Sequence, residues 1–312
     1  MILKFIDLFA WIWGIRLGFQ KVFWNHCVFS SEIDKFCKEQ YYANYWENPY
    51  WDITQISEKD IPKFDILLAW FPCQPFSIAG LRKWFEDTRW TLFFEVARII
   101  NYHKPKVVFL ENVKWLTNHN HWETFKVIKE SLEEMWYKVY SKVLNAKDFW
   151  VPQNRERIYI IWFLDDVNFE FPKASWKGTK VWDILEKWEI DSKYTISDKI
   201  WAGHQRRKEE HKAKWNGFWY SLFDENSKYT STISARYYKD WSEILIKQEW
   251  KNPRKLTPRE AARLQWYPED FKIVVSDNQA YKQFGNSVSI PVIEALAKQI
   301  KKAILSINSK NG

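Results

Sequence analysis

Three short stretches carry side chains able to work as one catalytic set. In LAWFPCQPFS, residues 68–77, Cys73 stands between Pro72 and Pro75. The stretch follows an apolar run that reads as a buried strand. The cysteine is therefore expected in a stiff loop at a strand's C-terminal end, where α/β folds place ligands. A thiol held there can act as a nucleophile once its pKa is lowered; a small buried thiol is the plainer alternative. In FLENVKW, residues 109–115, Glu111 and Asn112 follow another apolar run. Glu111 is a solvated helix cap if taken alone and a candidate acid in company with Cys73. In VPQNRERIYII, residues 151–161, Arg155 and Arg157 lead into an alternating strand. Two residues apart, they share one face, as a surface ion pair or as ligands for an electron-rich group. A thiolate, a proton donor and paired guanidiniums suit covalent catalysis with acid assistance.

Such a set needs strand ends that lie side by side. Strands are expected over Lys4–Phe9, Val28–Ile33, Phe64–Ala69, Lys106–Leu110, Tyr137–Leu144 and Arg157–Phe163. Helices are expected over Ile15–Phe23, Asp34–Tyr42, Thr91–Tyr102 and Trp122–Met135. This alternation predicts an α/β fold with a doubly wound, mostly parallel sheet. It breaks near Phe171-Pro172. From there to about Asn278 the chain is polar, basic and irregular, with Arg206-Arg207-Lys208 and Lys212-Ala213-Lys214. This reads as a smaller, β-rich domain of short strands and loops. The expected division is 1–172 plus 280–312 against 173–279. A last helix, Pro291–Leu305, follows QFGNSVSIP. No repeat or low-complexity tract interrupts the chain.

The first turn poses a difficulty. FIDLFAWIWGIRLGF, residues 5–19, reads as strand, turn and helix. A nucleotide-binding turn wants glycine, because the backbone turns sharply and approaches the ligand. Here it holds Trp11 and Trp13. The chain has 22 tryptophans and 8 glycines, whereas roughly 20 glycines would be ordinary for its length. One explanation is that most tryptophans stand where the natural protein has glycine. UGA lies one base from a glycine codon and one from the tryptophan codon, and reading it as tryptophan in a lineage that decodes it as glycine would yield this sequence. The alternative is a chain with wide aromatic stacking surfaces.

The remaining bounds are broad. The length of 312 residues suits one large or two modest domains. A net charge of +8 with a pI near 9.1 favours a polyanionic partner. Cys27, Cys37 and Cys73 have neither zinc-ligand nor disulfide-framework spacing. A reducing cytoplasm and no metal are expected. Lys4 interrupts the apolar N-terminus and no cleavage-type site follows, so no signal peptide is expected. No apolar stretch suffices for a bilayer span.

Taken in order, the motifs resemble those of the DNA (cytosine-5) methyltransferases of bacterial restriction–modification systems. DLFAWIWG resembles the family's S-adenosyl-L-methionine (AdoMet) loop with its glycines replaced. WFPCQPFS resembles the nucleophile motif, with Trp70 in the glycine place. ENV, QNRER, RKLTPREAARLQWYP and QFGNSVS match later motifs. FEDTRWTLFFEVARI, YWDIT and LQWYP match with Trp90, Trp51 and Trp266 at glycine places.

The resemblance implies an AdoMet-dependent methyltransferase fold and a mechanism. Cys73 adds to C6 of cytosine, Glu111 protonates N3, and the resulting enamine takes the methyl group at C5. Arg157 holds the cytosine O2, and Arg155 steadies the loop and a neighbouring phosphate. Loss of the C5 proton and of Cys73 releases 5-methylcytosine. The base must be flipped out of the duplex, and Ser77 with segment 78–95 is implied to close on the DNA. For AdoMet, the resemblance implies Phe9 over the adenine, Glu32 on the ribose hydroxyls, and Asp52 and Ile53 at the adenine edge. Asp7, Pro72, Leu92, Asn286 and Ser287 are implied to line the rest. Ile33 departs from the aromatic residue some members carry. In TSTISARYYKDWSEILI, residues 230–246, Thr232-Ile233 resembles the family's Thr-Leu pair in a target-recognition domain. Arg236 and Lys239 are candidates for bases or phosphates. The implied protein is a monomer acting on duplex DNA and paired with a restriction endonuclease.

Three rival readings remain at this point. A tRNA cytosine-5 methyltransferase keeps the fold, though the long variable region before RKLTPRE favours DNA. Literal tryptophans at 11 and 13 imply a DNA-binding protein without methyl transfer. A nicotinamide-dependent oxidoreductase has only the first strand–turn–helix in its favour.

Overall fold

A computed structural model describes residues 3–24, 26–70, 91–117, 126, 129–130, 133–175, 178–214, 219–239 and 241–308. Its centre is a six-stranded sheet of β1 (Phe5–Leu8), β2 (Cys27–Ser31), β3 (Ile66–Trp70), β4 (Val107–Val113), β5 (Lys138–Asn145) and β6 (Glu156–Phe163), in the order β2-β1-β3-β4-β6-β5. The first four in that order are parallel, and β6 runs antiparallel to both β4 and β5. The sheet is therefore mostly parallel, as expected. β1 is buried along its whole length and β4 over its first six residues. Helices cover both faces of a parallel sheet, which is why these strands read as continuous apolar runs.

Side chains alternate between two cores. Phe5, Ile66, Val107, Phe109 and Ile161 face one side, with Phe19 of α1 (Gly14–Phe23) and Ile293 and Leu296 of the last helix. Ile6, Leu67, Val108, Leu110 and Ile160 face the other, with Val96, Ile99 and Ile100 of α3 (Thr91–His103). Helix α2 (Lys35–Tyr45) opens on Asp34, whose Oδ1 accepts from the Phe36 and Cys37 amides. The helix expected over 122–135 falls largely outside the described residues.

The segment 173–279 corrects one expectation. Among the described residues its sheet is a two-residue parallel pair, β7 (Leu222–Phe223) with β8 (Leu245–Ile246), and its longest element is α4 (Asp198–Ala213). The α4 sequence is rich in lysine, arginine, glutamine, glutamate and alanine, all strong helix formers. It buries only His204, so no apolar period announced it. Helices α5 (Pro258–Leu264), α6 (Asp277–Asn286) and α7 (Ile290–Asn308) follow. A third core joins Ile12, Trp13 and Tyr41 to Ile184, Ile233, Leu264, Tyr281 and Phe284. The segment thus packs directly on the first turn and α2.

Among the described residues, eleven non-glycine residues have positive φ, and nine of them are tryptophans: 11, 13, 24, 46, 136, 150, 241, 250 and 266. A bulky L-residue is strained there. Trp46 ends α2 at φ 57°, its N–H donating to the Tyr42 carbonyl, at the position where helices favour glycine. Trp250 is fully exposed on its turn. Trp13 is fully buried at φ 67°, with its ring centroid 3.9 Å from that of Tyr41, closer than the usual range of about 4.5–7 Å. Its indole N–H finds no acceptor among the described residues.

Candidate active site

Sheet register assembles the catalytic candidates. Glu111 of β4 lies beside Trp70, the last residue of β3, and opposite Tyr159 of β6. Cys73 follows Trp70 by three residues. Cys73, Pro72 and Ser77 lie outside the described residues. Arg157, two residues before Tyr159 on the same face, brings Nε to 3.2 Å from Glu111 Oε1. Glu111 is fully buried, and neither of its oxygens accepts a hydrogen bond among the described residues. Burial pushes its carboxyl up to about 7, while Arg157 and Arg155 pull the other way. An acid with that value can hold or release a proton near neutral pH.

This pKa has a consequence for stability. The folded value lies above the ordinary 4.5. The native state therefore keeps a proton that the unfolded chain loses, and stability falls as pH rises from 4.5 to about 7. Glutamine cannot ionise. Glu111→Gln is expected to flatten this fall, losing about 2 kcal/mol less stability than the parent between pH 5 and pH 8, while its activity drops strongly. Denaturant titrations at pH 5 and pH 8 check this; parallel losses in both proteins would contradict it.

Arg155 is expected to steady a loop, and its contacts are with loop carbonyls. It is buried, with Nη1 donating to the Ile233 carbonyl at 2.9 Å and Nη2 to the carbonyls of Gly285, also at 2.9 Å, and Ser287. A guanidinium bonded to three carbonyls holds these loops together, and its Nε has no hydrogen-bond partner among the described residues. Gln153 works beside it. Its Oε1 accepts from the Ile233 N–H at 3.1 Å and its Nε2 donates to the Leu264 carbonyl. Thr232 Oγ1 donates to the Asn154 carbonyl at 2.6 Å. Arg236 and Lys239 are exposed. The segment from 230 is thus tied to the residues leading into β6.

A cleft of about 530 Å³ opens at the carboxyl ends of the parallel strands. There the chain leaves β1 for β2 but β3 for β4, the switch point where such sheets bind ligands. Phe9, Glu32, Asp52, Ile53, Leu92 and Asn286 line it. Asp7 and Ser287 line a smaller cavity of about 20 Å³ that shares Phe9, Trp11, Trp70 and Asn286 with the cleft. The indoles of Trp11 and Trp70, 6.0 Å apart, form part of the shared wall. Glu32 is buried. Its Oε2 accepts from the Trp11 amide and its Oε1 from the Asp34 amide, both at 2.8 Å. Burial raises its pKa and these bonds oppose the rise. Each oxygen keeps a further lone pair for a ligand hydroxyl. Ile33 stands exposed at the rim. Phe9 adopts φ 55°, a strained conformation of the kind that collects at ligand sites.

The C-5 cytosine-specific DNA methylase family matches residues 3–302. The chain belongs to that family. The methylase is 57% identical over 310 residues to Type II methyltransferase M.NlaX of Neisseria lactamica, covering 98% of this chain and 99% of that protein. It is 58% identical over 302 residues to Type II methyltransferase M.SsoII of Shigella sonnei, covering 95% and 79%. The fold matches the Entamoeba histolytica methyltransferase EhMeth with a TM-score of 0.82 at 20% identity, over 97% of this chain and 99% of that one. It also matches S. pombe Dnmt2 methyltransferase at 0.81 and 18%, over 96% and 99%. The nicotinamide reading falls with these matches, and AdoMet use follows from the family. Among the described residues, no group of three or more His, Cys, Asp or Glu side chains could hold a metal ion, and no helix is long and apolar enough to cross a membrane.

The methylase's cleft also contains residues that sequence reasoning missed. Lys282 lines it and pairs with Asp34 at 3.1 Å. It precedes Asn286 by four residues in α6, so both lie on one helix face, a signal that was present in YKQFGNSVS. Asn112, beside Glu111, is a lining residue too.

Proposed function

We propose that this methylase transfers the methyl group of AdoMet to C5 of cytosine in a specific duplex DNA sequence, as the modification partner of a restriction endonuclease. The observation that carries this reading is the convergence of Glu111, Arg157 and the end of β3, three residues before Cys73 in the sequence, beside a ligand-sized cleft. In the proposed reaction the target base is flipped out of the stack. The Cys73 thiolate forms a bond to C6, and Glu111 gives its proton to N3, so the electron pair gathers at C5 without a buildup of ring charge. Arg157 donates to the cytosine O2 while its contact with Glu111 fixes both groups. Bound AdoMet supplies an electrophilic methyl group on a sulfonium. A water molecule then takes the C5 proton, Cys73 leaves C6 as a thiolate as the C5–C6 double bond re-forms, and the N3 proton returns to Glu111. Arg155 acts as a positioning residue through the loops it joins.

The residues fit AdoMet. Glu32 offers acceptors for a ribose diol, Phe9 an aromatic face, and Asp52 and Ile53 an adenine edge. Asp7 Oδ2 is buried without a hydrogen-bond partner among the described residues, which suits a ligand donor. Pro72, Leu92, Asn286 and Ser287 complete the set. We assign 1–172 with 280–312 to catalysis and 173–279 to target recognition, with Thr232, Arg236, Lys239 and Ser77 toward the DNA. We also infer that most tryptophans stand for glycines encoded by UGA. The nine tryptophans at positive φ, the crowding at Trp13 and the wall formed by Trp11 and Trp70 support this.

Methyl-labelled AdoMet tests the substrate. Label is expected in duplex DNA as 5-methylcytosine and not in tRNA. The reverse distribution would favour the RNA reading.

A further inference from the structure

We propose that Gly285 is a positioning residue for target recognition, because its missing side chain lets Ser234 and Ala235 seat against the end of α6. The proposal rests on reading the segment from 230 to 239 as a DNA contact. A Cβ at Gly285 would lie 2.1 Å from the Ser234 oxygen, 2.3 Å from the Ser234 carbonyl carbon and 2.6 Å from the Ala235 nitrogen. All three are backbone atoms, so no rotamer change relieves the contact. The segment would have to retreat by more than about 1 Å to reach normal separations. Gly285 does not have a positive φ and lies inside a helix, where glycine is a poor choice on propensity. Close approach is the reason for it.

Two further contacts make that approach matter. The Arg155 guanidinium holds the carbonyls of Ile233 and Gly285 together, and Gln153 grips the Ile233 amide from the other side. The exposed turn then hangs from Ser234: the Arg236 amide donates to Ser234 Oγ at 3.1 Å, and the Lys239 amide to the Arg236 carbonyl at 2.8 Å. A displaced Ser234 therefore carries Arg236 and Lys239 with it. The next residue after Gly285, Asn286, lines the cofactor cleft. One helix end thus sets the distance between the target contacts and the cofactor.

The test uses whichever chain methylates, with tryptophan or with glycine at the disputed positions. It is expressed in a host strain free of cytosine methylation, and methylated cytosines are mapped across the chromosome. The parent is expected to mark one motif. In Gly285→Ala the share of marks outside that motif should rise by about tenfold, comparable to losing one good base contact, with AdoMet affinity by calorimetry changed less than about twofold. A purely structural role lowers marks inside and outside the motif together. That result, or an unchanged pattern, overturns the proposal. If Gly285→Ala does not accumulate folded, Gln153→Leu reads the same quantity by removing the acceptor of the Ile233 amide, and an unchanged share there also overturns it. Thr232→Ala, Arg236→Ala and Lys239→Ala separate the two layers. If none alters the motif or DNA affinity, the underlying reading of the segment fails. If they do and Gly285→Ala does not, only the role of Gly285 fails.

Discussion

Cys73→Ser is expected to abolish methylation of duplex DNA, lowering the rate by a factor on the order of 10⁴ or more. A hydroxyl has almost no anionic form near neutral pH, whereas a thiol with an ordinary pKa of about 8.5 has some and a tuned one has much more. Without an addition at C6, C5 of cytosine is too poor a nucleophile to take the methyl group. AdoMet binding should survive. The cleft side chains that would hold it, including Phe9, Glu32, Asp52, Ile53 and Asn286, come from other elements. Single-turnover rates and calorimetry on the same preparation separate the two effects. A variant that still methylates at a comparable rate would remove Cys73 from its role.

The second large effect concerns the tryptophans. A chain with glycine at the 22 tryptophan positions is expected to bind AdoMet at least about a hundredfold more tightly than the chain as written, a difference of about 2.7 kcal/mol. It should also be markedly more stable. A non-glycine residue forced into the left-handed region costs about 1–3 kcal/mol, and nine tryptophans sit there. Trp11 bears on binding most directly, since its indole lines both the cleft and the smaller cavity and donates to the Gln283 carbonyl at 2.8 Å. The coding DNA should read UGA at codons 11, 13, 70, 90 and 266. Equal affinity and stability in the two chains would show that the loop tolerates indole, and UGG at those codons would end the decoding argument.

The legible parts of the fold were those with a strong local signal. β1, β3 and β4 showed as apolar runs because both faces are covered. Strand direction was not legible for β5 and β6, since alternation is the same in either direction and only pairing sets it. Helix α4 was missed because its signal is propensity without an apolar stripe. In the site, the cofactor-side candidates followed from motif resemblance, and the cleft gathers six of them directly. The partners of Arg155 were not legible, because Ile233, Gly285 and Ser287 are remote in sequence. An arginine's type does not say whether it meets a phosphate or a carbonyl. Glu111 showed as an acid by its company, but its complete burial depended on the register of three strands.

The central claim is covalent addition of Cys73 to the target base, and 5-fluorocytosine tests it most directly. Fluorine at C5 cannot leave as a proton does, so the enzyme should be arrested with its thioether bond to C6 intact. Duplex DNA carrying 5-fluorocytosine, incubated with AdoMet and the active chain, is expected to give a complex that survives denaturing electrophoresis. Peptide mapping should place the base on Cys73. An adduct on Cys27 or Cys37, an adduct formed equally by Cys73→Ser, or methyl transfer with no trapped complex would contradict the account.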